Sequence, residues 1–219
     1  MSALRAALSL DAAGAIITAK RDCETDLPTL PSKESLLRRL APARDKWGPR
    51  PAAAVPEPAG PGEESVWDYP RPPALRDAPA RATVVFAGET LADSDRALRV
   101  VETAGAPVYY FPPEDVALDR LRETDLVSVC EWKGAAVYFD VVCGDRRAPR
   151  AAFSYPDPLD DLGRGFSRIA GWFGFYPGRV DACYVGGERV SPQPGSVYAG
   201  WMTRAVKGPV KGAPGTEHW

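Results

Sequence analysis

The sequence predicts a mainly β domain preceded by a helical and Pro-rich N-terminal extension. Three observations lead there. Short apolar runs recur from residue 65 onward, each bounded by Gly, Pro or Asp turn signals. One of them, VSVCEWKGAAVYFDVVCG at 127–144, reads as two strands folded back at Lys133-Gly134. Twelve of the 23 prolines fall between Pro28 and Pro79, which marks an irregular segment ahead of the folded part. At 219 residues the chain is long enough for one good-sized domain and an extension, taken as residues 65–219 and 1–64.

In the extension, residues 2–20 place Leu4, Leu8 and Ala12 on one stripe, weakened as a helix by Gly14. SKESLLRRL at 32–40 predicts a helix capped by Ser32 and stopped before Pro42, with Leu36, Leu37 and Leu40 along one edge. From Ala41 to Glu64 the Pro, Ala and Gly content predicts a linker. ESVWDYPRPP is extended, because each Pro disfavours helix at the residue before it. RATVVFAG, ETLAD, ALRVVET and APVYYFP predict four strands. PPEDVALDRLRE at 112–123 predicts a helix, with Pro113 in its first turn and Glu114 and Asp115 at its positive end. After the hairpin, RAAFSYPDP is a strand broken by Pro and residues 159–170 make a helical turn. GWFGFYP and VDACYVGGERV predict a strand pair, SVYAGWMTR the last strand and the tail coil.

A two-residue turn in the hairpin puts Trp132 opposite Ala135, Cys130 opposite Val137 and Ser128 opposite Phe139. That face is apolar and predicts core. The other face carries Glu131, Tyr138 and Asp140 among valines, with Lys133 at the tip, and predicts the lining of a cavity.

A net charge of -2 gives no reason to expect a nucleic-acid or membrane-surface partner. No apolar run reaches the roughly 18 residues of a spanning helix. Asp11 interrupts the N-terminal apolar run, and that argues against an export signal. Cys23, Cys130, Cys143 and Cys183 lack CxxC spacing, and the single His is His218, so a zinc site is not expected. Reduced thiols point to the cytoplasm.

Candidate chemistry concentrates in a few places. Trp67, Asp68, Tyr69 and Arg71 read either as an aromatic wall with a guanidinium for a planar or anionic ligand, or as a strand edge packing its rings on the core. Glu102 ends an apolar strand before Tyr109 and Tyr110. Held among Val and Tyr it would bind a proton more tightly, as a general base should; paired with Arg71 or Arg99 it would be structural. Lys133 is either a ligand anchor or a solvated turn residue, and Asp140 in mid-strand must find a partner. Tyr155, Trp172, Tyr176 and Trp201 stand beside Gly or Pro, which lets a ring lie against backbone in a core or in a ligand cage.

VWDYPRPP, VVFAGETLADSDRALRVVET, PVYYFPPEDV, CEWKGAAVYFDV, FSYPDP, FYPGRVDACYVGGERVSPQPG and YAGWMT resemble the domain of unknown function 427 over about Ser65–Trp219. The resemblance implies an Mss4-like, or β-tent, pair of antiparallel sheets with one or two short helices. Several relatives of that fold pin the sheets with zinc. The corresponding cysteines are missing here, so packing must do that work. The sequence departs from the family at Ala104-Gly105-Ala106, where Ser-His is common, and at Phe153 and Trp132. A nucleotidyltransferase label attaches to the family, but the sequence has no Gly-Ser loop followed by a paired Asp-x-Asp to hold metals.

The resulting expectation is a metal-free, cofactor-free domain that binds a small molecule between its sheets. Trp67, Tyr69, Arg71, Tyr110, Tyr138, Tyr155 and Trp201 would contact the ligand. Glu102, Lys133 and Asp140 would carry any acid/base chemistry, such as elimination, isomerisation or cyclisation. The alternative is a non-catalytic interaction module that docks helix 32–40 on a partner or on a second copy of the chain.

Overall fold

The computed structural model describes residues 29–46, 48–216 and 219. The expected helix at 2–20, Cys23 and His218 lie outside them. In chain order the elements are α1 (Lys33–Arg44), β1 (Glu64–Ser65), β2 (Ala74–Asp77), β3 (Ala82–Phe86), β4 (Glu89–Ser94), β5 (Leu98–Val101), β6 (Val108–Phe111), β7 (Leu121–Cys130), β8 (Gly134–Cys143), β9 (Arg146–Ser154), β10 (Phe173–Phe175), β11 (Ala182–Val185), β12 (Glu188–Arg189), β13 (Ser191–Pro192), β14 (Trp201–Met202) and β15 (Val206–Lys207). Among the described residues α1 is the one α-helix. The fold is mainly β.

The larger sheet has seven strands in the order β2-β5-β6-β10-β9-β8-β7, and the smaller has four, β12-β11-β3-β4. All pairs in both are antiparallel. The main core lies between these sheets. Val84, Phe86 and Cys183 of the smaller sheet meet Tyr109, Phe111, Val141, Ala152 and Phe175 of the larger. Trp201 fills the middle. Its ring stacks on Tyr109 at 4.7 Å, and its Nε1–H donates to the Phe175 carbonyl at 3.1 Å. The two sheets are therefore joined by packed rings.

Several expectations change. Residues 112–123 do not form a helix. Two 3-10 turns, Pro113–Asp115 and Leu118–Arg120, run beside β4 instead. There the Ala117 N–H donates to the Leu91 carbonyl and Val116 bridges Ala92, so bonds to β4 win over helical ones. GWFGFYP and VDACYVGGERV do not pair: β10 sits between β6 and β9, and β11 between β3 and β12. Helix α1 does have Ser32 as its cap, accepting from the Ser35 N–H at 3.3 Å, but it runs through Pro42 to Arg44. Ala43 and Arg44 hold that last turn down by burial and by ion pairing.

The hairpin β7–β8 has a different register from the expected one. Cys130 pairs with Gly134, Val129 with Ala135 and Ser128 with Ala136. Three residues, Glu131, Trp132 and Lys133, make the turn. Gly134 has φ +82°, a left-handed conformation that closes such a turn readily only with glycine. An odd shift exchanges the faces of one strand relative to the other. Val127, Val129, Ala135 and Val137 therefore share one face, and Ser128, Ala136 and Tyr138 the opposite one. Helix α1 covers the first, with Leu36 and Leu40 against Val127, Val129 and Val137. Gly134 lies directly beneath: a Cβ there would stand 3.0 Å from Leu159 and 3.4 Å from Leu36.

The extension is thus built onto the domain. The Glu57 N–H also donates to the Gly208 carbonyl, and β1 pairs in parallel with β15. The Leu36–Leu40 edge, which the alternative reading docks on a partner or a second copy, packs against the protein's own hairpin. Replacing Leu40, 4% exposed, with Ala should cost about 2–5 kcal/mol in denaturant unfolding, whereas the exposed Arg39→Ala should stay within about 0.5 kcal/mol.

Candidate functional site

The outer face of the seven-stranded sheet carries a row of rings. Tyr110 of β6 pairs with Gly174, Gly174 with Phe153 and Phe153 with Tyr138. Gly174 makes the row possible, since a Cβ there would be 2.4 Å from the Phe153 ring. Phe153 meets Tyr110 and Tyr155 edge-on at 5.8 Å and 6.2 Å. The chain at Phe166–Ile169 and Val197–Ala199 closes over this face.

A cavity of about 150 Å³ remains among these groups. Tyr110, Tyr138, Phe153, Tyr155, Tyr176 and Tyr198 supply rings; Val108, Val129, Val197 and Ala199 supply aliphatic wall. The polar lining is Glu102, Ser128, Cys130, Glu131, Lys133 and Lys211. The volume is room for about one aromatic ring, since an apolar cavity of roughly that size takes up benzene.

The turn Glu131–Lys133 brings an acid and a base to the cavity edge. Arg44 of α1 holds this turn from behind: its Nε donates to the Glu131 carbonyl at 2.7 Å, and its guanidinium is bidentate to Asp161 at 2.6 Å and 3.1 Å. Lys133 is only 8% exposed. Among the described residues no carboxylate lies within ion-pair distance of its ammonium. Its one hydrogen bond is to Cys130 Sγ at 3.4 Å, and it sits over the Tyr155 ring at 5.2 Å and the Phe166 ring at 5.9 Å. Burial opposes its charge. Nearby groups, the ionised Glu102 among them, outweigh burial and hold its pKa above the ordinary lysine value. The ammonium stays charged.

The two glutamates differ. Glu102 contacts Arg71 Nε at 3.2 Å and Lys211 Nζ at 3.5 Å. Burial favours its protonation, but Lys211, Arg71 and Lys133 prevail and hold its pKa below the ordinary glutamate value. Glu131 is 9% exposed, its carboxyl has no ion-pair partner among the described residues, and the Cys130 thiol lies 3.8 Å from it. Burial and then the Glu102 charge push its pKa up, and Lys211 and Lys133 offset only part of that. One carboxyl is held ionised and its neighbour is biased toward the acid form. Burial likewise raises Cys130, so it is present as a thiol.

Of the residues singled out from sequence, Glu102, Lys133, Tyr110, Tyr138 and Tyr155 come together here. Tyr138 also shares a 2.7 Å hydrogen bond with Ser128. Arg71 reaches the site through Glu102 and braces the Thr103 carbonyl at 2.7 Å. The others stand elsewhere. Trp201 is core between the sheets. Trp67 donates to the Pro209 carbonyl at 2.9 Å and packs on Trp219 at 5.8 Å. Tyr69 belongs to a separate apolar cluster with Val66 and Val101. Asp140 braces a bulge in β8: it accepts from Arg147 and from the Arg150 N–H, where Arg150 has φ +50°. The site is also on the outer face of the large sheet, not between the sheets. Glu102 is ion-paired, so its affinity for a proton is lowered where the base reading needed it raised. Glu131 was expected on a cavity-lining face but not singled out for chemistry, and Lys211 was missed as a site residue. Glu131 needed the three-residue turn to be placed, and Lys211 sits in a tail with no periodic signal. Among the described residues no group of three or more His, Cys, Asp or Glu is placed to hold a metal ion. None of their helices is long and apolar enough to cross a membrane.

Fold and site together define a small β domain with a ring-walled, polar-edged cavity on the outer face of its larger sheet. The chain belongs to the family described as a domain of unknown function (DUF427), whose model matches residues 74–186. That span contains Glu102, Tyr110, Glu131, Lys133, Tyr138 and Tyr155; α1 and Lys211 lie beyond it. No curated protein matches the chain.

The Glu102 ion pairs give a stability prediction. A carboxyl whose folded pKa is depressed contributes stability above its ordinary value, 4.5, and loses it as pH falls through the folded value. Glu102→Gln should be less stable than the wild type at pH 7. That gap should narrow as urea unfolding is repeated at pH values stepping below 4.5.

Proposed function

We propose that the protein binds a small organic anion, about one ring in size, in this cavity. The single observation that carries the reading is Lys133. A buried ammonium without an ion-pair partner costs several kcal/mol, and lining a cavity gives it a place to meet an anion. The tyrosine and phenylalanine rings offer faces for a planar body, and the charge at one edge would set its orientation. This is a protein of small-molecule metabolism in our reading. Three free thiols among the described residues fit a reducing cytoplasm.

An acidic carboxyl at Glu131 beside the charged Lys133 and Glu102 is an arrangement for proton transfer on the bound anion, of the kind that elimination, isomerisation and cyclisation share. Lys133 would hold developing negative charge on oxygen, and Glu102 would keep Lys211 and Arg71 in place. The packing of the α1 apolar edge on the hairpin favours this reading over that of an interaction module.

The test is binding of benzoate against benzamide, followed by tyrosine and tryptophan fluorescence. Benzoate should bind more tightly, and Lys133→Met should weaken it about 10–100-fold while leaving benzamide unchanged. Equal affinity for the two compounds, or a Lys133→Met protein that binds benzoate as the wild type does, would sink the proposal.

A further inference from the structure

Glu131 and Lys133 are two residues apart, both at least nine-tenths buried, and both line the same cavity. Yet no ion pair joins them, and neither finds another among the described residues. A buried acid and a buried base that decline each other are placed to meet a third group. The tyrosines repeat the pattern. Tyr110 and Tyr155 are 1% and 7% exposed and line the cavity, and among the described residues no group hydrogen-bonds to either hydroxyl. Four polar groups are thus left for a ligand at one edge of a space that holds about one ring.

We propose that the cavity is a proton-coupled carboxylate site, in which the ligand's carboxylate lies between the Lys133 ammonium and the neutral, hydrogen-bond-donating carboxyl of Glu131. This rests on the anion-binding reading above and makes it specific. The Lys133 N–H donates to one oxygen and the Glu131 O–H to the other, with the Tyr110 and Tyr155 hydroxyls free to complete the set. No bond to carbon forms or breaks, and the proton stays on Glu131 in the bound state. An ionised Glu131 would instead put two carboxylates side by side in a buried space, so the site should empty as Glu131 loses its proton.

The groups facing Glu131 are few. Cys130 from β7 lies 3.8 Å away and is a neutral thiol through the physiological range. Glu102, following β5, stays ionised. Lys133 in the turn stays charged, Lys211 comes from the C-terminal segment, and Arg44 of α1 touches only the Glu131 backbone carbonyl. Of Cys130, Glu102, Glu131 and Lys133, Glu131 is the carboxyl that holds its proton more tightly than an ordinary glutamate, through burial first and then the Glu102 charge.

The experiment is calorimetric titration of the full chain with benzoate from pH 5.5 to 9. Affinity should be level at the acid end and then fall about tenfold per pH unit once Glu131 ionises. Glu131→Gln, which keeps a neutral hydrogen-bond donor, should bind at the acid-end affinity and show no such slope. Glu102→Gln removes the charge that resists Glu131 ionisation, so its fall should begin at lower pH. A wild-type affinity that is level across the range overturns the proton-coupled site while leaving anion binding intact, as does an affinity that rises with pH. No benzoate binding at any pH removes the anion-binding reading itself, and this inference with it.

Discussion

A buried ammonium at the edge of a ring-walled cavity, with no ion-pair partner among the described residues, is the constraint to which the rest of the molecule answers. Desolvating such a charge is costly, and protein groups nearby are arranged so that the charge nevertheless survives. Lys133 cannot escape to water because its turn is fixed on three sides. Gly134 supplies the left-handed residue that a three-residue turn requires, Arg44 grips the Glu131 carbonyl, and Leu159 donates its N–H to the Lys133 carbonyl at 3.0 Å. Each of those contacts comes from a different part of the chain. The position of Lys133 is therefore a product of the whole fold and not of the hairpin alone.

The N-terminal extension and the C-terminal segment gain a common purpose from this. Helix α1 lies on one face of the hairpin and delivers Arg44 to the back of the turn. The C-terminal segment lies on the other face and delivers Lys211 to Glu102. Buried Gln193 holds that segment in place, accepting from the Ala106 N–H at 2.8 Å and donating to the Lys211 carbonyl at 2.9 Å. Gly200 and Gly212 permit the close approach, since a Cβ at either would stand 2.1 Å from Gln193 Oε1 or from the Pro194 carbonyl oxygen. Both elements fall outside the matched residues 74–186, which hold Tyr110, Tyr138, Phe153, Tyr155, Tyr176, the turn and Glu102, while Tyr198 and Lys211 close the cavity from beyond that span.

Much of the architecture could be read from the residues. Alternation in RATVVFAG, APVYYFP and the 127–144 segment places strands where the sheet has them, and Ser32 followed by spaced leucines places α1. What failed were inferences that need partners distant in sequence. The hairpin register turned on whether Gly134 closes a two- or a three-residue turn, and a slip of three residues moved Tyr138 onto the face of Ser128. Residues 112–123 have helical spacing, but β4 offers their backbone a neighbour. In the site, aromatic residues beside glycine were legible as rings lying on backbone, as Gly174 and Phe153 demonstrate. Which rings enclose space and which fill it was not. Trp201 and Tyr155 carry the same local signature, yet one is the centre of the core and the other a cavity wall. Charged residues were harder still, because Glu102 looks alike in sequence whether it is a solitary base or the partner of Arg71 and Lys211.

The central claim is that an anion belongs beside Lys133. A crystal of the protein soaked in 4-bromobenzoate, with the bromine located by its anomalous signal, tests it most directly. The account places the carboxylate within hydrogen-bond distance of Lys133 Nζ and the bromine among the Tyr110, Phe153 and Tyr155 rings. Bromine found only on the outer surface, or a ring turned so that its carboxylate faces away from Lys133, would contradict it.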